Sequence, residues 1–286
     1  MSALLAHKTR NLALKNVDRL PSLSPALNQL LGLLAKRDVD MRQLSRVITT
    51  DAPLCGHILS AANSAMFGRG SQVRSIEQAV ARIGLGKLRM IALSKSVSGI
   101  FRGMRTPPGW SMARFQLHSV AAGAAADILC GYLPVEDGEH AFLGGLMHDV
   151  GKILIATGQT TEYIEIENLM VCTGRSQIDV EHEILGTDHA ELSGLAVAKW
   201  ELPFSLARAV ANHHCPEAPR NPNEASLSAI LQASDRFINS LGISVRAAQG
   251  EPEPPELPVI AGFEYDEKEF AGHFADGWRV LSAICM

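Results

Sequence analysis

The most constraining feature of this sequence is the spacing of its apolar residues, which recur with the 3.6-residue period of an α-helix. In one typical stretch, Leu44, Val47 and Ile48 share a helix face, and Asp40 stands where it can cap the helix. Similar segments follow one another along the chain, separated by prolines and glycines that end helices. No segment shows the strict alternation of a strand, so the pattern predicts an all-α fold.

The proline and glycine pattern also suggests how the chain is divided. Two prolines and a glycine within Arg105–Gly109 break any helix, which predicts a boundary there. We expect an N-terminal helical lobe over residues 1–106 and a second helical lobe over residues 107–245, packed side by side. Residues 246–286 then form an acidic proline-rich linker and a C-terminal helix that folds back onto the body. The linker near Glu251–Pro258 is expected to be the interior point most sensitive to protease.

Composition excludes several classes of protein. The formal net charge of −4 gives no general attraction to nucleic acid or anionic lipid. The 5 cysteines are scattered without a C-x-x-C pair, which argues against a disulfide framework and against a thiolate zinc site. No apolar run approaches the ~20 residues of a membrane-spanning helix. We therefore expect a cytoplasmic protein with no membrane segment.

A single short stretch, Gly144–Lys152, sets an imidazole and a carboxylate side by side at the end of an apolar helical run. Adjacent helical side chains diverge by about 100°, so His148 and Asp149 can share an ion only if it lies over the helix edge. A metal site is one interpretation. The other is an ordinary helix end, at which Gly151 turns the chain and Lys152 meets the helix dipole. The dipeptide alone favours the second interpretation.

Other ionisable residues in the second half change this balance. His118 lies on an apolar helix, His189 falls in the first turn of another helix, and His213 and His214 end a third. Each has a structural alternative, as a core histidine or as a partner of the helix dipole. Asp235 lies on an apolar helical face, where an unpaired carboxylate would be costly to bury and a cation would remove that cost. Imidazoles and carboxylates without thiolates suit iron, manganese, nickel, zinc or magnesium.

Several ordered motifs resemble those of the HDOD domain, the HD-related output domain of bacterial signalling proteins. In the first half, the similar segments are Leu20–Leu34, Val47–Pro53, Leu59–Ser64, Ser75–Val80 and Ile83–Gly84. In the second half, they are Gly144–Lys152, Glu181–Glu183, Asp188–His189, Trp200–Pro203 and His213–His214. The resemblance covers roughly residues 18 to 240, and several motifs in order are more specific than any one of them.

The resemblance implies a set of metal ligands. The wider HD phosphohydrolase superfamily uses a His, a His-Asp pair and a later Asp, which here are His118, His148, Asp149 and Asp235. The related HD-GYP phosphodiesterases bind a second metal through further histidines, which here could be His189, His213 and His214. The resemblance thus implies one or two divalent ions. Asp149 would bridge them, and Lys152 could neutralise a phosphate oxygen during hydrolysis of a phosphoester.

Two features depart from the related families. HDOD domains often carry a tryptophan a few residues before the first histidine, whereas here Phe115 stands near His118 and Trp110 lies further upstream. The residues after Lys152 read Ile-Leu-Ile-Ala-Thr-Gly, without a Gly-Tyr-Pro motif. That absence argues specifically against the cyclic-dinucleotide phosphodiesterases.

Three functions are compatible with the sequence. The first is a regulatory HDOD module, with or without bound metal, that signals through a protein partner or a phosphorylated small-molecule ligand. The second is a metal-dependent phosphohydrolase or phosphodiesterase acting on a nucleotide or cyclic dinucleotide. The third is a helical scaffold whose histidines lie in its core. A locally basic set could face an acidic partner, although a solvated set of charges is the simpler interpretation: Arg69, Arg74, Arg82, Lys87 and Arg89.

Overall fold

The prediction of an all-α fold is confirmed. The computed structural model describes residues 3–23, 25–34, 40–64, 67, 71–245 and 255–285. Helices dominate these residues, and strand-like pairing within them is limited to an isolated bridge between Val135 and Ala225. None of the helices in this part of the chain combines the length and apolar character needed to cross a bilayer.

The helices are numbered in chain order. Those of the first half are α1 (Ala3–Asp18), α2 (Pro25–Leu34), α3 (Met41–Thr50), α4 (Ala52–Ala62), α5 (Ile76–Ile83) and α6 (Leu85–Ile100). The next are α7 (Met112–Tyr132), α8 (Ala141–Met147), α9 (Val150–Gly158), α10 (Thr160–Thr173) and α11 (Gln177–Leu185). The last are α12 (His189–Lys199), α13 (Phe204–Ala211), α14 (Leu227–Ser240) and α15 (Glu267–Cys285).

The larger compact unit comprises Met1–Pro21 and Gly103–Tyr265. Its central helix, α7, packs against α8 and α14, while α12 packs against α9 and α13. Small side chains on α7 allow very close packing: a Cβ atom on Gly145 of α8 would lie only 2.4 Å from the Cα atom of Gly123. The backbones of α7 and α8 are therefore in direct contact.

The smaller unit comprises Ser22–Arg102 and Asp266–Met286. Within it, α2 packs on α3, α4 packs on α5 and α6, and α15 packs on α6. Asp40 caps α3 as the sequence predicts, by accepting hydrogen bonds from the first turn of that helix. Ser75 caps α5 in the same way. Arg82 donates to the carbonyl oxygens of Ala62 and Ser71, which gives this arginine a structural role.

The boundaries of the two compact units differ from those of the predicted domains. Helix α1 packs against α9, α11 and α12, and Lys199 donates to the carbonyl of Val17, which places residues 1–21 in the larger unit. The division at residues 106 and 107 accordingly stays a prediction. Much of the predicted linker, residues 246–254, lies outside the described residues, as does Arg69 of the basic set.

Candidate metal centre

The His148-Asp149 pair lies at the junction between two helices. Helix α8 ends at Met147 and α9 begins at Val150, so both residues occupy a break in the helix rather than its regular face. Regular helical geometry sets adjacent side chains about 100° apart, yet Nε2 of His148 and Oδ2 of Asp149 lie 3.5 Å apart. Gly151 then passes so close to α12 that a Cβ atom there would lie 2.0 Å from the carbonyl oxygen of His189.

A first cluster brings together residues from α7, from this junction and from α14. The Nε2 atom of His118 lies 3.1 Å from Oδ1 of Asp235 and 3.4 Å from Oδ2 of Asp149. The Nε2 atom of His148 lies 3.4 Å and 3.5 Å from the same two oxygen atoms. The two Nε2 atoms are 3.3 Å apart, and all four residues are buried. Four potential ligand atoms thus converge on one point.

A second cluster consists of His189, His213 and His214, at the beginning of α12 and just after α13. The Nε2 atoms of His189 and His214 are 2.9 Å apart. One carboxylate reaches both clusters, because Oδ1 of Asp149 lies 3.4 Å from Nε2 of His189 while its Oδ2 faces the first cluster. Asp149 therefore lies between the two clusters, and its role as a bridging ligand stays a prediction.

Four of the histidine rings are oriented by hydrogen bonds from Nδ1 to acceptors outside the clusters. The pairs are His118 with the carbonyl of Ile243 (2.7 Å), His148 with that of Gly145 (2.8 Å), His213 with that of Val210 (2.7 Å) and His189 with the carboxylate of Glu181 (2.7 Å). A carbonyl oxygen only accepts, so Nδ1 must carry the proton. In the neutral rings, each Nε2 atom therefore presents its lone pair to the cluster, as metal-binding histidines do.

The buried polar atoms fit a divalent metal ion. When His118 and His148 are neutral, their Nε2 lone pairs face each other across 3.3 Å, which is unfavourable without a cation or a proton between them. Two further buried atoms, Oδ1 of Asp149 and Nε2 of His213, have no hydrogen-bond partner. Buried polar atoms are rarely left unsatisfied, and an ion would satisfy both. The donors are nitrogen and oxygen only, as expected from the sequence.

The charges of the first cluster are strongly coupled. Burial opposes charge on His118, yet hydrogen bonds with Asp149 and Asp235 raise the pKa of its imidazole to about 9. Burial alone would raise the pKa of Asp149, but the neighbouring His148 and Lys152 hold that pKa well below its usual range. In the metal-free protein at neutral pH, a proton on His118 thus supplies positive charge where the ion would otherwise supply it.

In the second cluster, the surroundings lower the pKa values of two histidines instead of raising them. Burial, together with the neighbouring His148 and His214, holds the pKa of His213 well below its usual range. Burial and the nearby His189 lower the pKa of His214 to about 4. These two rings therefore remain neutral at physiological pH, in the protonation state that a metal ligand requires.

A cavity of about 280 Å³ adjoins both clusters. Its lining includes His189, His214 and Asp235, and also Lys152, whose Nζ atom lies 2.6 Å from Oδ2 of Asp149. Burial would lower the pKa of this lysine, but Asp149 and Asp235 raise it above its usual value, so its charge is retained. The Lys152 ammonium group consequently stands beside the ligand atoms and at the edge of a space that a small molecule can enter.

The residues predicted from the sequence lie together, but their supporting residues were not predicted. The Nε2 orientation of His189 depends on Glu181, whose motif we recognised without a role, and Asn239 donates to Asp235 at 2.8 Å. The carbonyl of Ile243 holds a histidine 125 residues away. A backbone acceptor at that distance leaves no local signal in a sequence, whereas the Glu181 motif could have suggested a role near His189.

Comparison with solved structures shows the same fold in other proteins. An HDOD domain protein of unknown function from Geobacter sulfurreducens superposes with a TM-score of 0.75 at 19% identity, covering 97% of this chain and 98% of that one. A Marinobacter aquaeolei protein provisionally named a signal transduction protein superposes with a TM-score of 0.72 at 17% identity, covering 99% of this chain and 67% of that one. A Shewanella amazonensis protein provisionally named a phosphohydrolase superposes with a TM-score of 0.67 at 22% identity, covering 96% of this chain and 98% of that one.

Comparison at the level of sequence identifies the family. An uncharacterised protein of Treponema pallidum is 22% identical over 249 residues, which are 85% of this chain. The chain spans less than half, 45%, of the length of that relative. The family model of the HDOD domain matches residues 20–216, which include all the candidate ligands except Asp235. The chain belongs to the HDOD domain family.

Proposed function

We propose that this chain is a signalling HDOD module that binds divalent metal ions and recognises a phosphorylated small molecule beside them. The observation that carries this proposal is the convergence of Nε2 and carboxylate atoms in two clusters joined by Asp149. Within these clusters, Oδ1 of Asp149 and Nε2 of His213 are buried without a hydrogen-bond partner, and a bound ion would satisfy both atoms. The scaffold interpretation is therefore the least favoured of the three.

Two ligand sets follow from the clusters. The first ion would be held by His118, His148, Asp149 and Asp235, and the second by His189, His213, His214 and Asp149. When bound, divalent ions supply Lewis-acid activation of water and of phosphoryl oxygens. Lys152 adds a fixed positive charge at the cavity, suited to a phosphate oxygen. Glu181 keeps the His189 ring in its ligand orientation through Nδ1.

A metal-dependent phosphohydrolase is the second candidate. It is favoured by the cavity, because members of both clusters and Lys152 line the same small space. A hydrolase needs the ions and the substrate together in this way, whereas a purely regulatory metal site needs no such space. The names of the Marinobacter and Shewanella proteins describe those proteins, and correspond to the two candidates considered for this chain.

A signalling module also requires a partner and a compartment. We expect a protein partner to receive the signal, because a signalling module without turnover acts through contacts with another protein. Four cysteines with described side chains, Cys55, Cys130, Cys172 and Cys215, are unpaired. Unpaired thiols favour a reducing compartment, and we propose the cytoplasm.

Metal analysis of protein purified without chelator tests the proposal directly. Stoichiometric manganese, iron, nickel, zinc or magnesium is expected, and a protein that neither contains nor takes up any of them would contradict both candidates. Turnover assays with a phosphomonoester and a phosphodiester then separate the two. Hydrolysis that is lost in Asp149→Asn would establish the phosphohydrolase, whereas ligand binding without turnover supports the signalling module.

A further inference from the structure

The cavity beside the metal clusters is lined by two chemically different kinds of side chain. The ionisable ones include Lys152, His189 and His214, together with the carboxylates of Glu167, Glu181 and Asp235. The aromatic ones are Trp110 and Tyr163, and isoleucine side chains line the same cavity. The metal chemistry uses only the ionisable side chains. The aromatic side chains therefore need a separate explanation.

The aromatic side chains of the cavity contact one another and a third ring. The ring of Trp110 packs edge-to-face with Tyr163 at a centroid distance of 5.8 Å, and its other neighbour, Phe115, is 5.7 Å away. The backbone N–H of Trp110 donates to the carbonyl of Pro107. Ser111, the next residue, caps α7, the helix that also carries His118. Trp110 thus directly precedes the cap of the helix that carries the candidate ligand His118.

The size of the cavity favours a small occupant. Its volume of about 280 Å³ lies near the lower limit of small-molecule sites, which span roughly 300–1,000 Å³. A phosphate group and one ring system suit such a space. A cyclic dinucleotide, with two bases, two sugars and two phosphates, has about twice the content. The volume thus agrees with the absence of the Gly-Tyr-Pro motif after Lys152.

We propose that the cavity binds a phosphate monoester carrying a single planar ring, of the size of a nucleoside monophosphate. The phosphate lies at Lys152 and the metal ligands, an assignment that rests on the proposed function. The ring lies against Trp110, which acts as a specificity-determining residue. Indole rings bind planar bases by stacking, which tolerates different bases and gives little affinity to a sugar phosphate that lacks the ring.

Calorimetric titration of the full chain in magnesium, with adenosine monophosphate, ribose 5-phosphate and orthophosphate, tests this proposal. The ring should make adenosine monophosphate bind at least about tenfold tighter than ribose 5-phosphate. Trp110→Ala should remove that difference and leave ribose 5-phosphate and orthophosphate unaffected, while Trp110→Phe should keep most of it. Trp278→Ala is the matched control, because Trp278 stacks on Phe274 in the other compact unit and should leave all three affinities unchanged.

A second measurement covers the case in which Trp110→Ala does not fold. In the otherwise intact Trp278→Phe protein, adenosine monophosphate should change tryptophan emission with one-to-one saturation, and ribose 5-phosphate should not. Equal affinities for the two phosphates would overturn the ring assignment while leaving phosphate binding and the proposed function standing. Tighter binding of a cyclic dinucleotide, or no binding of adenosine monophosphate to metal-loaded protein, would also overturn it.

Discussion

A single oxygen atom of Glu181 accepts two hydrogen bonds from His189, one from the backbone N–H at 2.8 Å and one from ring Nδ1 at 2.7 Å. The other carboxylate oxygen accepts from Gln177 at 2.6 Å. Burial opposes ionisation of Glu181, but its interactions with His189 hold the pKa of the carboxyl below its usual value. One carboxylate thus fixes both the start of α12 and the direction of the His189 lone pair.

Glu181→Gln should weaken metal binding at the second cluster about 10- to 100-fold, the usual effect of removing a residue that orients a ligand. The amide nitrogen can turn toward Nδ1 and reverse the tautomer of His189. Metal affinity measured by competition with a coloured chelator checks this prediction. Glu183→Gln is the control, because Glu183 is exposed and pairs with Arg175 at the surface. Equal affinities in the two variants would show that Glu181 does not position His189.

Loss of a residue from the first cluster should remove both bound metal and stability. Saturating metal at about 100 times its dissociation constant stabilises the folded state by roughly 2.7 kcal/mol. His148→Ala should reduce the fall in thermal midpoint that chelator causes in the parent protein. Asp149→Ala should abolish that fall, because its two oxygens face different clusters. His189→Ala should reduce the metal content of the second cluster first.

His182→Ala serves as the control for these variants. His182 is an exposed histidine that pairs with Asp188 at the surface, and such pairs contribute only about 0–1 kcal/mol. Its metal content and response to chelator should equal those of the parent. If His148→Ala and the parent lost the same stability on adding chelator, the first cluster would not be a metal site.

In the presence of chelator, stability should depend on pH on both sides of about pH 6.5. His118 has its pKa raised from 6.5 to about 9, so its contribution to the free energy of unfolding is complete below pH 6.5 and is lost as pH rises to 9. This contribution is on the order of 3 kcal/mol, since each pKa unit corresponds to about 1.4 kcal/mol. His214 has its pKa lowered to about 4, so stability falls as pH drops from 6.5 toward 4.

Thermal midpoints measured from pH 4 to 9.5 check this profile. His118→Gln should flatten the alkaline side and leave the acid side in place. Saturating metal should also flatten the alkaline side, because a metal-bound His118 carries no proton at Nε2. A midpoint that rises steadily up to pH 9 in chelator would contradict the pairing of a protonated His118 with Asp149 and Asp235.

Gly151→Ala should destabilise the protein by about 3 kcal/mol or more. The added Cβ atom would lie 2.0 Å from the carbonyl oxygen of His189, and a backbone atom cannot move aside as the end of a flexible side chain can. Gly131→Ala is the matched control, since nothing lies within 4 Å of its Cβ position on α7. That variant should gain about 0.5–1 kcal/mol. Denaturant unfolding of both measures the contrast, and equal stabilities would refute it.

The sequence predicted the helices and the ligands for different reasons. Helix α3 could be predicted because Leu44, Val47 and Ile48 follow the helical period and all three are buried. The candidate ligands could be predicted because motifs in a fixed order resemble those of a family. Groups that only support the candidate ligands, such as the carbonyl of Ile243 that orients His118, follow neither pattern. Their roles arise from distances across the fold, and single sequences carry no record of those distances.

The assignment of α1 to the larger compact unit is another feature that the sequence could not predict. Nothing in residues 3–18 distinguishes a surface helix of one lobe from a helix of the other. Its position follows from side chains such as Arg10, which pairs with Glu191, and Thr9, which donates to the carbonyl of Ile184. Periodicity predicts that a segment is helical and which face is apolar, but it does not name the partner helix.

The contact between Gly123 and Gly145 limits how closely two helices can pack. Because backbone atoms touch there, the separation of α7 and α8 is limited by atoms that are the same whatever the surrounding side chains. His118 and His148 lie within two turns of this contact, and the carbonyl of Gly145 also orients the His148 ring. The closest approach of α7 and α8 is thus set by the polypeptide backbone, so an exchange of neighbouring core side chains cannot bring the two helices closer together.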